Sequence, residues 1–280
     1  MKTEVIDLYE YFGLTRPEFA RGYLTLYIQN ASDEYKNRIR PAMLVIPGGG
    51  YCMTSDRERE PIALAFMAKG YNAFTLDYSV APTRFPSQLT EAVLAAAYIK
   101  KNAEKLGIDN RLAAIGFSAG SHLLGTLLTM YNSEYVEIAA KNLGGERPID
   151  AAVFSYPVVS AVDHPHVGSF LNLFGENKSF YEEVSFEKHI GKTFPPSFIW
   201  TTVDDNCVPS ENSLNLALQL KKHSVPFELH AFESGVHGLS LCTIQTYNNI
   251  DKNLISPDVE IWLDLAIKFL TRHGFEIKMR

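Results

Sequence analysis

The sequence predicts a protein of the α/β class, a mostly parallel sheet with helices on both faces. Three observations carry this. Strand-like apolar runs alternate with helix-length segments along most of the chain. Several of those runs are continuously apolar, as strands buried on both faces must be. The segments between them are long enough for the crossovers that parallel neighbours require.

The elements follow in order. Tyr23 to Ile28 alternates as a strand, and Asn30-Ala31-Ser32-Asp33 reads as a turn. Ala42 to Ile46 is a buried strand that stops at Pro47-Gly48-Gly49-Gly50. Arg59 to Lys69 is helical, closed by Gly70. Asn72 to Tyr78 is a second buried strand. Ser87 to Leu106 reads as one long amphipathic helix ended by Gly107. Leu112 to Phe117 is a strand and Ala119 to Met130 a helix directly behind it. Further strands are expected at Ala151–Ser155, Ser197–Thr201 and Phe227–Phe232, with helices at Glu211–Lys222 and Asp258–His273. In such sheets active sites sit beyond the C-terminal strand ends. That rule selects the loops after Ile46, Phe117, Thr201 and Phe232.

The chain has 280 residues. They are read as a single domain over 1–280, with the irregular stretch 161–194 folding over the sheet edge as a small cap or lid. The formal net charge is −6, and Lys and Arg form no dense stripe, so nucleic acid is not an expected partner. No run approaches the roughly 20 apolar residues of a membrane helix. The first residues carry acids early and do not read as a signal peptide. The three cysteines, Cys52, Cys207 and Cys242, are odd in number and widely spaced, which is not a disulfide framework. The expected location is cytoplasmic.

Gly116-Phe117-Ser118-Ala119-Gly120 has the G-x-S-x-G pattern of a nucleophile elbow. The chemistry explains the spacing. A serine on a tight strand-to-helix turn presents its hydroxyl above the sheet, and glycines two before and two after let strand and helix approach. Ser118 is therefore the candidate nucleophile. Pro47-Gly48-Gly49-Gly50-Tyr51 follows the first buried strand, and its glycines permit unusual backbone angles. Backbone N–H groups of Gly49, Gly50 and Tyr51, with that of Ala119, are candidates for an oxyanion hole. The loop lacks the spacing of a P-loop or a dinucleotide site.

A serine nucleophile needs a histidine base, and the histidine needs an acid to hold its tautomer. In this arrangement the chain order is Ser, acid, His. His237 lies in the loop after the last strand, where the base belongs. His122 lies one helical turn past Ser118, on the packing side. Asp204 and Asp205 both follow the strand Ser197–Thr201; Asp205 is favoured because Asp205-Asn206-Cys207-Val208-Pro209 has the D-x-x-V-P form. Asp77 ends a strand but precedes Ser118, and reads as structural.

Taken in order, these loops resemble the esterase/lipase branch of the α/β hydrolases, in particular bacterial acetyl-esterase and acetyl-xylan-esterase-like proteins. The likeness runs from about Pro41 to Arg272 and includes Leu76-Asp77-Tyr78, Ser155-Tyr156-Pro157-Val158 and Ser234-Gly235-Val236-His237-Gly238. Pro47 stands where such proteins often carry histidine, and Ser121 where they often carry glycine. The resemblance implies an α/β-hydrolase fold and a serine carboxylesterase cleaving short acyl esters, acetyl above all, of small molecules or carbohydrates. It implies no metal and no organic cofactor. Two other readings stay open: a peptidase or amidase of the same fold, and a non-catalytic binding protein on the scaffold. The cysteines each fall near one of the candidate loops, which leaves a shared metal or redox role to be tested against a reading as small buried hydrophobes.

Overall fold

The computed structural model describes residues 1–34 and 37–279. Among them, nine strands form one sheet: β1 (Lys2–Asp7), β2 (Tyr23–Ile28), β3 (Arg38–Ile46), β4 (Asn72–Asp77), β5 (Ile108–Phe117), β6 (Ala151–Ser155), β7 (Ser197–Thr202), β8 (Phe227–Phe232) and β9 (Lys278–Met279). The order is β1-β2-β4-β3-β5-β6-β7-β8, with β9 paired to β3. β1 and β2 run antiparallel to their neighbours, whereas β4, β3, β5, β6, β7 and β8 are mutually parallel.

The continuous apolar runs have a simple cause. Leu44, Ile46, Ala114 and Phe154 pack on one face, with Leu94, Leu123 and Leu127 from the helices Ser87–Lys101 and Ala119–Met130. Met43, Val45, Ile115 and Val153 pack on the other, with Phe66 from the helix Glu60–Ala68 and Trp262 and Phe269 from the helix Trp262–Arg272. Alternate residues face opposite cores, so both must be apolar.

Several elements differ from the sequence expectation, three of them instructively. β1 was not anticipated. It is an edge strand whose residues are exposed or only partly buried, so it carries little hydrophobic pattern. The helix expected over Ser87–Leu106 is interrupted at Asn102, where both the backbone N–H and the side-chain amide donate to Tyr98 O, at 3.1 and 2.8 Å. A short amide competing for the backbone in this way ends the helix, and Ala103–Leu106 forms a separate turn closed by left-handed Gly107 (φ 64°). The helix expected over Asp258–His273 is likewise two, Pro257–Glu260 and Trp262–Arg272.

Residues 161–194 fold as the helices Val167–Phe174 and Tyr181–Val184 and the 3-10 turn Phe186–His189. Phe170, Leu173, Val184 and Phe186 are buried in the same core as the helix behind Ser118. Gly125 marks a close approach: a Cβ there would lie 2.3 Å from Phe186 Cδ1 and 2.4 Å from Cε1 and Cγ. That ring is fully buried and stacked on Phe154 at 5.8 Å, so it cannot yield. Gly125→Ala is expected to lower stability by about 1–3 kcal/mol through overpacking, despite alanine's better helix propensity. Urea denaturation checks this, and an unchanged or higher midpoint would refute it.

Candidate active site

Ser118 joins β5 to the helix Ala119–Met130, with φ 50° and ψ −120°. Left-handed backbone at a non-glycine residue is strained and must be held by its surroundings. Here the Ser118 N–H donates to Ser155 O at 3.0 Å, and Ser118 O accepts the Val158 N–H at 3.2 Å. The flanking glycines are sterically required. A Cβ on Gly116 would meet Gly120 O and Ser121 Cα at 2.6 Å, and one on Gly120 would strike the carbonyl oxygens of Ile46 and Pro47. Ser121, which stands where the esterases it resembles often carry glycine, is fully buried and donates through Oγ to Gly116 O at 2.6 Å.

The loops after β7 and β8 meet this turn. His237 Nε2 lies 2.8 Å from Ser118 Oγ, and His237 Nδ1 lies 2.6 Å from Asp205 Oδ2. A carboxylate accepts, so Nδ1 carries the proton and Nε2 is left to accept from the serine hydroxyl. The Asp205 side chain is fully buried, and its Oδ1 accepts the N–H groups of Cys207 and Val208 at 2.9 and 3.0 Å. Asp204 turns the other way. It accepts Ser234 Oγ and the Gly235 N–H, both at 2.7 Å, and ties the two loops together. Asp77 pairs with Arg21 at 3.2 Å and accepts Thr54 Oγ1 at 3.0 Å.

The glycine loop after β3 bends through left-handed angles at Gly49, Gly50 and Tyr51. The N–H groups of these three residues and of Ala119 have no acceptor among the described residues. Tyr51 anchors the loop from below. Its hydroxyl donates to His122 Nδ1 at 2.8 Å, while His122 Nε2 donates to Val184 O at 2.9 Å. Burial drives the His122 pKa down to about 4, which keeps it the neutral link between the loop and residues 161–194. From above, Asn172 donates to Gly50 O at 2.9 Å.

A family model described as BD-FAE matches residues 26–220 of this chain. The chain belongs to the BD-FAE family. It is an esterase-like α/β hydrolase. The chain is 37% identical over 238 residues to endo-1,4-beta-xylanase B of Butyrivibrio fibrisolvens, covering 80% of this chain and 36% of that protein. It therefore spans about a third of the length of that relative. An acetyl ester-xyloside bifunctional hydrolase from Caldicellulosiruptor lactoaceticus superposes with a TM-score of 0.82 at 33% identity, covering 98% of this chain and 97% of that one. MGS-M1, an α/β hydrolase from a Medee basin deep-sea metagenome library, gives 0.76 at 36% identity with 97% of each chain covered.

The BD-FAE match ends at residue 220, before the loop that carries His237. In this BD-FAE member, sequence reasoning passed over two polar residues near the site. Glu58 sits in the charged run Asp56-Arg57-Glu58-Arg59-Glu60, which matches no motif, yet it is 3% exposed. His166 lies in the irregular stretch 161–194, which carries no motif. It bonds Ser169 Oγ through Nδ1 at 2.8 Å and brings Nε2 to 3.7 Å from Cys207 Sγ. The three cysteines are free and have separate neighbours. Cys52 is exposed and donates to Gly49 O, Cys207 faces His166, and Cys242 is buried with its thiol pushed up to about 12 by burial. No helix among the described residues is long and apolar enough to cross a membrane.

Proposed function

We propose that this chain is a serine carboxylesterase that hydrolyses short acyl esters, acetyl esters above all, of small molecules or carbohydrates. One observation carries the reading: the hydrogen-bonded line Asp205–His237–Ser118, ending on a strained serine at a helix N-terminus. His237 takes the Ser118 proton as the oxygen attacks the ester carbonyl, and Asp205 holds the required tautomer and stabilises the imidazolium. Backbone N–H groups of Gly49, Gly50, Tyr51 and Ala119 take the developing oxyanion. The alcohol leaves with the proton from His237. Water, activated by the same histidine, then releases the acid from Ser118. All the groups in this scheme belong to the chain, so it draws on no metal or organic cofactor.

The sugar-linked acetyl reading rests on the names of the similar proteins, a xylanase and an acetyl ester-xyloside hydrolase. Residues 161–194 would serve as the cap on a single domain, pinned to the oxyanion loop by Asn172. The three free thiols suit a reducing, cytoplasmic setting. Initial rates on p-nitrophenyl acetate, butyrate and octanoate, alongside acetate release from acetylated xylo-oligosaccharides, test the substrate class. The acetyl ester is expected to exceed the octanoyl ester in kcat/KM by about tenfold or more, because the acyl site must reject several methylenes. Preference for octanoate, or faster cleavage of an aminoacyl p-nitroanilide than of any ester, would overturn the reading.

A further inference from the structure

Beneath the nucleophile lies a second carboxylate that the acyl-transfer scheme leaves unused. Glu58 Oε2 accepts the Gly48 N–H at 2.8 Å, and Oε1 accepts the Tyr156 hydroxyl at 2.5 Å. The direction of the second bond follows from a third. Tyr156 Oη receives the Ser240 N–H at 3.0 Å, so its own proton points to Glu58. Both carboxylate oxygens are thus acceptors, as the ionised form requires.

The position is what matters. Glu58 Oε2 and Ser118 Cβ each lie within 3.0 Å of the point a Gly48 Cβ would occupy. The Tyr156 ring stands edge-on to His237, with centroids 5.0 Å apart at 69°. The same short segment, Asp56–Glu58, is stapled to the loop beyond His237. Arg57 donates to Gly238 O at 2.9 Å and to Thr246 O, and Ser240 Oγ donates to Arg57 O at 2.6 Å. One buried acid therefore contacts the oxyanion loop on one side and the wall behind His237 on the other.

We propose that Glu58 is a positioning residue for acyl transfer: it holds the glycine loop and the His237 loop in register, and its charge stabilises the His237 cation formed as Ser118 attacks. The inference rests on reading Ser118 and His237 as nucleophile and base. In the step itself, the proton passes from Ser118 Oγ to His237 Nε2 while the new bond forms between Oγ and the acyl carbon. Glu58 remains ionised and gains no bond. Asp205 is the direct partner of the imidazole; Glu58 acts through Tyr156 and across the buried space between the loops. Burial raises the Glu58 pKa, opposed by the Tyr156 and Gly48 hydrogen bonds and by the charges of His237 and Arg57. The other titratable groups facing the two are Asp205, His166, Tyr78, Tyr156 and Cys242.

Glu58→Gln separates geometry from charge, since the amide can accept the Gly48 N–H and still meet the Tyr156 oxygen. The measurement is kcat/KM on p-nitrophenyl acetate from pH 4.5 to 9, with folding followed by circular dichroism. An adjacent anion favours protonated His237, so its removal is expected to move the acid limb to lower pH by about one unit and to lower the plateau about tenfold. A folded Glu58→Gln protein whose acid limb coincides with the wild type overturns the proposal, because a merely structural role would leave that limb in place. If this variant does not fold, Tyr156→Phe carries the same test: Glu58 loses a donor and holds its proton to higher pH, so the acid limb again moves down, and an unmoved limb overturns the proposal. A wild-type protein that neither hydrolyses the ester nor labels with a fluorophosphonate refutes the reading of the site instead.

Discussion

Ser118→Ala is expected to lower kcat/KM for p-nitrophenyl acetate by about four orders of magnitude or more, with little change in melting temperature. The argument starts from the backbone. The φ of 50° at residue 118 is held by the Ser155 and Val158 hydrogen bonds and by the glycine contacts on either side, none of which uses the hydroxyl. Alanine can occupy that turn at nearly the same strain. Among the described residues, the hydroxyl hydrogen-bonds to His237 Nε2 and to no other group. The variant should therefore keep its fold and lose its chemistry. Removing the nucleophile from a serine–histidine pair typically costs about 10⁴- to 10⁶-fold, the residue of activity coming from the oxyanion site and binding alone. Intact-mass measurement after fluorophosphonate treatment supplies the second readout: one adduct on the wild type and none on the variant. A variant that hydrolyses the ester at the wild-type rate would remove Ser118 from the mechanism.

Asp205→Asn should cost about 10³- to 10⁴-fold in kcat/KM, and the structure supplies the reason. The N–H groups of Cys207 and Val208 both point at Oδ1. An asparagine there must direct its carbonyl oxygen at these two donors, which turns its NH₂ group toward His237 Nδ1. His237 Nδ1 must then accept, the ring proton moves to Nε2, and Nε2 presents a donor to Ser118 where an acceptor is needed. Packing and backbone hydrogen bonds stay intact while the tautomer is wrong. Asp204→Asn is the paired control. Its carboxylate bonds Ser234 and Gly235 rather than the imidazole, so a loss within about tenfold is expected from the loosened loop. Steady-state rates on both variants decide between the two aspartates. Equal losses, or a larger one at Asp204, would overturn the assignment.

Much of the scaffold was legible because its signals are local. The two-sided burial of Ala42–Ile46 in β3 and Leu112–Phe117 in β5 leaves those stretches without a charged or polar side chain, and that shows in the chain. The spacing of Gly116 and Gly120 around Ser118 follows from two backbone approaches too tight for a Cβ. β1 escaped notice for the converse reason: an edge strand buries too little to impose a pattern. The break at Asn102 was written in an ordinary residue whose side chain could equally have faced water.

The site divides in the same way. Ser118 and the glycine loop belong to contiguous motifs, and the sequence alone determined the strand-turn-helix setting, the chain order of the Asp205 and His237 loops, and the α/β class. The tertiary structure decided the rest. Asp204 and Asp205 are neighbours of identical chemistry, and only the fold turned one toward His237 and the other toward Ser234. Glu58 and Glu60 look alike in the chain, yet one lies buried between two loops more than a hundred residues apart. His122, legible as a packing residue, became the neutral link between Tyr51 and Val184. Burial and hydrogen-bond partnership arise from segments that meet only when the sheet is assembled. A local pattern can specify where a side chain starts, but not which distant group completes its bonds.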